Sequence, residues 1–157
     1  HPPMPVKLIV GMLSQSEPLL TSAQERMTAL WGPMDLISEV IEDCDLGLLL
    51  DLSHAQISAQ AFGMDFEEYI NRLPLNRLAE LHITGIREYA NFPTDHFQLQ
   101  PQDWTTVNWA AEKIETGAWQ RPAIVAFEYG GIGDVFCWRS ERSVLEEQVP
   151  LLYQIFS

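Results

Sequence analysis

Four short stretches of the sequence set carboxylates and imidazoles where they could act together. In Leu48-Leu49-Leu50-Asp51-Leu52-Ser53-His54, an apolar run closes on Asp51, with His54 three residues on. In Ala79-Glu80-Leu81-His82-Ile83-Thr84-Gly85, the two-residue period of a strand puts Glu80 and His82 on one face and Leu81 and Ile83 on the other. Pro93-Thr94-Asp95-His96-Phe97 offers adjacent donors that extended backbone would point apart, so Asp95 and His96 share an ion only if the chain bends there. Phe127-Glu128-Tyr129-Gly130-Gly131-Ile132-Gly133 ends an apolar run on a carboxylate, and its glycines permit close backbone approach. Buried carboxylates and imidazoles are costly unless they pair or hold a cation. Asp51, His54, Glu80, His82, Asp95, His96 and Glu128 are therefore the candidate metal ligands. A set of imidazoles and carboxylates without thiolates suits iron, manganese or zinc. Each stretch also has an ordinary reading: Asp51 as a helix cap, His54 as a surface or packing residue, His82 as a satisfied core imidazole, Asp95 and His96 as loop residues. Glu128 is the hardest to read that way.

The elements that must position these residues are legible as apolar runs. Val6 to Leu13, Leu46 to Leu52, Leu78 to Thr84 and Ala123 to Phe127 read as strands, the second and fourth almost continuously apolar, as in a parallel sheet covered on both faces. Met34 to Asp43 has helical spacing through Leu36, Ile37, Val40 and Ile41. A second helix opens at Asp65, with Glu68 three residues on, and stops at Pro74. A third starts near Pro101 or Gln102 and ends at Gly117; a fourth follows Ser140, with Pro150 expected to kink or cut it. The segment after the third strand is expected to be a long loop. Four βα units in series predict an α/β fold with parallel strands of (β/α)-barrel type, about half of a complete barrel, in one partial domain spanning 1–157. Such folds bind ligands at the carboxyl ends of their strands, where the candidate residues lie. No glycine-rich phosphate loop follows the first strand, which argues against the dinucleotide-binding variant.

At these residues the sequence resembles the xylose-isomerase-like TIM barrels, closest to the multinuclear non-heme iron-dependent oxidative enzymes related to the methanobactin-biosynthesis oxidase. The resemblance runs from about Asp35 to Gly133. It is carried by GLLLDLSHAQISAQAFGMDFEEYINRLPLNRLAELHITG, then DH, DW and FEYGG. It implies that the chain corresponds to the C-terminal half of such a barrel. It also implies that strand-end carboxylates and imidazoles hold two or three irons that activate dioxygen, and that the substrate is a cysteine-containing peptide presented with a partner protein. Asp51, His54, His82, His96 and Glu128 match ligand or near-ligand positions, and Glu80 would ligate directly or support a ligand. The sequence departs from the family where a Glu-Asn pair is replaced by Val10-Gly11, and where Thr94 holds the first place of an Asp-x-His motif. No counterpart of the family's early histidine-bearing strands is present. These departures remove expected ligands and bear on activity more than on fold.

Composition narrows the partners. A net charge of −13 argues against a nucleic-acid backbone as partner, and no apolar run reaches the length of a membrane span. The start carries no secretory signal, and His1 is compatible with a tag remnant, a processed end or the interior of a longer protein. Cys44 and Cys137 have no spacing partners, and are expected to be buried free thiols in a reducing cytoplasm. Two further readings stand beside the iron oxidase: a divalent-metal sugar isomerase or epimerase, and a non-catalytic half-barrel whose exposed edge strands pair with a second copy.

Overall fold

A computed structural model describes residues 33–89, 91–131 and 140–157. In chain order these form α1 (Pro33–Asp43), β1 (Leu48–Asp51), α2 (Leu52–Phe62), α3 (Phe66–Asn71), a single 3-10 turn (Leu75–Arg77), β2 (Leu78–Ile83), β3 (Gly85–Tyr89), β4 (Phe92–Phe97), α4 (Pro101–Glu115), β5 (Ile124–Phe127) and α5 (Arg142–Phe156). The strand expected over Val6 to Leu13 and the second cysteine, Cys137, lie outside the described residues.

The three apolar runs among the described residues become β1, β2 and β5, a parallel sheet in the order β1-β2-β5. Asp51 pairs with His82 and His82 with Ala126; one step earlier, Leu49 pairs with Glu80 and Glu80 with Ile124. Strand alternation therefore sends Leu48, Leu50, Leu81 and Ile83 to one face, where all four are buried. Asp51, Glu80 and His82 occupy the other. The buried face packs into a core with Met34, Ile37 and Ile41 of α1, Ala55 and Ala59 of α2, Tyr69 and Ile70 of α3, and Val107, Ala110 and Ile114 of α4. This is the mixed α/β architecture with parallel strands expected of a partial (β/α) barrel. Gln148 of α5 ties the C-terminal helix to the body, its amide bonding both the N–H and the carbonyl of Leu99 at 2.9 Å.

Two expectations need correction, for the segment after β2 and for Cys44, and the structure adds detail at α2 and α5. The segment after β2 is not a loop: β3 and β4 form an antiparallel hairpin. Its residues are mostly half-buried or exposed, so it carries no apolar signature. A helix, α2, follows Asp51 directly, its start set by that residue's cap. Pro150 does not cut α5; it sits on the exposed side, where water can satisfy the carbonyl that its missing N–H leaves free. Cys44 is a free thiol but exposed, because it lies in the turn after α1 beyond the apolar stripe. Among the described residues, no helix is long and apolar enough to cross a membrane.

Candidate metal centre

Asp51 ends β1 and caps α2 at once. Its Oδ1 accepts hydrogen bonds from the backbone N–H groups of Ser53 (2.8 Å) and His54 (2.9 Å), so half of the carboxylate does the work of an N-cap. Its Oδ2 is buried and has no hydrogen-bond partner. Burial pushes the Asp51 carboxyl above its ordinary value; the negative charges of Asp95 and Glu128 add to this, while the His54 backbone bond and the His54 charge oppose it. A desolvated carboxylate oxygen with no donor is a costly arrangement that a bound cation would relieve.

His54, one turn into α2, faces the hairpin. Its Nε2 lies 2.5 Å from Asp95 Oδ2, and its Nδ1 4.0 Å from Asp51 Oδ2. The bond to Asp95 raises the His54 imidazole above its usual value, against the opposing effect of burial. Burial pushes Asp95 upward, but the His54 bond and the His96 and His54 charges outweigh it and leave Asp95 below the usual carboxylate value.

The bend that Asp95 and His96 require is present as a β-bulge. Gly85 pairs with Phe97 and Arg87 with Thr94, so Asp95 and His96 together oppose the single residue Ile86. His96 has φ 64°, a left-handed backbone that is strained for a residue with a Cβ. With alternation broken, His96 Nε2 comes within 3.6 Å of Asp95 Oδ2. The hairpin can turn back immediately after β2 because Gly85 has no Cβ; one built there would land on the Gln98 carbonyl. Arg87 braces the hairpin's base through the Gln98 carbonyl and Asp103.

On β2, His82 is buried between two carboxylates. Its Nδ1 is 2.9 Å from Glu128 Oε1 and its Nε2 2.7 Å from Glu80 Oε1. Glu128 follows the end of β5, two residues past the Ala126 that pairs with His82, and its N–H donates to the Ile83 carbonyl. Gly130, at φ 93°, donates its N–H to the His96 carbonyl, which joins the end of β5 to the bulge.

Two groups with metal-ligand spacing result: Asp51 with His54 and Asp95, and Asp51 with His82 and Glu128; within each, the donor atoms lie within 4.8 Å of one another. Asp51 belongs to both. Glu80 and His96 stand outside both groups. His96 still lines the same cavity of about 220 Å³ as Asp51, His54, His82 and Glu128, whose apolar side includes Leu49, Tyr69 and Leu73. The sequence reading missed Ser53 and Thr84. Ser53 donates its hydroxyl to the Thr84 carbonyl at 2.7 Å, locking the start of α2 to the end of β2, and the Thr84 hydroxyl is itself buried without a partner. Small hydroxyl residues carry no spacing signature; strand alternation from Glu80 through His82 would have marked Thr84.

Residues 19–118 match the model of the family described as RiPP precursor modification enzyme MbnB/TglH/ChrH. The chain belongs to that family. The MbnB/TglH/ChrH assignment agrees with the resemblance drawn from the LLLD, E.H..G and FEYGG residues, and places the chain in the xylose-isomerase-like TIM-barrel superfamily. Relatives named only as UPF0276 proteins occur in Acaryochloris marina, 29% identical over 50% of this chain and 29% of their own, and in Pseudomonas aeruginosa, 36% identical over 41% and 22%. One from Paraburkholderia phytofirmans is 37% identical over 34% of this chain and 18% of its own. The matched segments thus span less than a third of these relatives' lengths.

Proposed function

We propose that this member of the MbnB/TglH/ChrH family is a metal-dependent oxidative enzyme that acts on a ribosomally made precursor peptide, through a centre of two or three irons. The observation that carries the reading is Asp51 Oδ2, buried, unpartnered and common to two groups of donors. A carboxylate oxygen so placed suits a cation on either side of it. Asp51, His54 and Asp95 would hold one ion; Asp51, His82 and Glu128 the other, with His96 beside them. Iron held by such donors with open coordination positions supplies the redox chemistry that activates dioxygen.

The chain's own residues shape what surrounds that chemistry. The apolar cavity wall of Leu49, Tyr69 and Leu73 excludes water from one side, and the cap on Asp51 Oδ1 holds the carboxylate's direction fixed. The family description supports a precursor peptide as substrate, and a cysteine-containing peptide delivered with a partner protein in the cytoplasm is the form we favour. The described residues, as part of one partial barrel domain, form one wall of the centre. The test is to load the protein anaerobically with ferrous iron, add oxygen and a cysteine-containing peptide, and follow oxygen uptake and peptide mass. We expect oxygen uptake with a change in peptide mass, both lost in His82→Ala. Isomerisation of a sugar with manganese and no oxygen uptake would favour the isomerase reading instead.

A further inference from the structure

Glu80 lies outside both groups of donors although its carboxylate is 2.7 Å from His82 Nε2. We propose that Glu80 is a positioning residue that dictates which nitrogen of His82 faces the metal centre; this rests on the metal-centre reading above. Glu80 and His82 are two residues apart on β2, so the strand holds both side chains on one face. The sheet register sets Glu80 one step before the ring of donors: His82 is level with Asp51, whereas Glu80 is level with Leu49 and Ile124. A cation beside Glu80 would meet apolar neighbours, Leu49 and Ile124, on both adjoining strands, while Glu128 sits by the other edge of the imidazole.

Imidazole chemistry completes the argument. A neutral ring carries one N–H and one lone pair, and a carboxylate can only accept. With Nε2–H donating to Glu80, the lone pair is fixed on Nδ1, the nitrogen that lies 2.9 Å from Glu128, which shares a donor group with His82 and Asp51. Metal-bound histidines commonly donate their other N–H to a carboxylate, which fixes both tautomer and ring orientation. If Glu80 turned to ligate a metal itself, the buried Nε2–H would lose that acceptor.

Zinc, which is redox-silent, provides the probe. The full chain, Glu80→Gln and Glu80→Ala would be titrated with zinc, and the His82 ring nitrogens of the zinc-loaded proteins assigned by ¹⁵N NMR. Circular dichroism would confirm that both variants are folded. We expect Glu80→Ala to keep the number of bound ions but weaken the affinity by about 10- to 100-fold. Glu80→Gln should recover most of that loss, because its amide oxygen still accepts from Nε2–H. The wild-type spectrum should show a coordinated Nδ1 and a protonated Nε2. Loss of one bound ion in both variants would make Glu80 a ligand and overturn the proposal, as would coordination through Nε2. A Glu80→Ala variant with wild-type affinity overturns it while the metal centre stands; a wild-type protein that binds no zinc overturns both.

Discussion

Asp51 carries a helix cap on one oxygen and leaves the other bare at the junction of two donor groups. The two interpretations that LLLD-x-x-H invites, a cap and a ligand, are therefore compatible within one side chain. Geometry at this scale was only partly legible. That Glu80 and His82 share a face follows from alternation; that His54 meets Asp95, 41 residues away, follows from nothing local. The His54–Asp95 pair also gives the metal-free protein a defined pH dependence. His54 is raised, so its share of stability is full below its ordinary value of 6.5 and is lost as pH rises through the higher folded value. Asp95 is lowered, so its share is present above 3.8 and is lost as pH falls through the lower folded value. In metal-free samples, the melting temperature of the wild type should exceed that of His54→Gln most between these limits, and the gap should narrow as pH rises through the raised His54 value. A gap that widens with alkaline pH would contradict the assignment.

At the scale of elements, the parallel strands were readable because burial on both faces leaves an almost unbroken apolar run. The β3–β4 hairpin was not readable, because Phe92-Pro93-Thr94-Asp95-His96-Phe97 alternates poorly and is half-buried or exposed throughout, which leaves it no apolar signature. The bulge is less visible still: an extra residue in one strand appears only when the partner's register is known. That bulge holds His96 in a left-handed conformation, and such strain at an imidazole beside the donors is expected of a functional position. His96→Gly removes both the strain and the ring. We expect the variant to be more stable than the wild type by about 1–2 kcal/mol in urea denaturation, yet to bind iron more weakly. A variant that is less stable would show that the ring, not the centre, justifies the backbone.

At the scale of the whole molecule, β1 and β5 each have one sheet neighbour among the described residues, and Ile124 on β5 is 51% exposed. An exposed strand edge such as that of β5 at Ile124 is a template for a further strand. We expect two copies to associate through it, giving a mass by sedimentation of about twice 17.9 kDa. Association should strengthen with salt, since each copy carries a net charge of −13 and ions screen that repulsion over about 10 Å at 0.1 M. A mass of 17.9 kDa at every salt concentration would exclude edge pairing. The central claim, a shared centre organised by Asp51, meets its most direct test in iron content. The wild type and Asp51→Asn would be loaded anaerobically with ferrous iron, desalted, and assayed for metal per chain, with circular dichroism as a fold control. Asparagine keeps the capping oxygen but removes the charge. The account predicts two or more irons in the wild type and loss of the metal bound by both groups in a folded Asp51→Asn. Wild-type protein without iron, or a variant that retains its full complement, would contradict it.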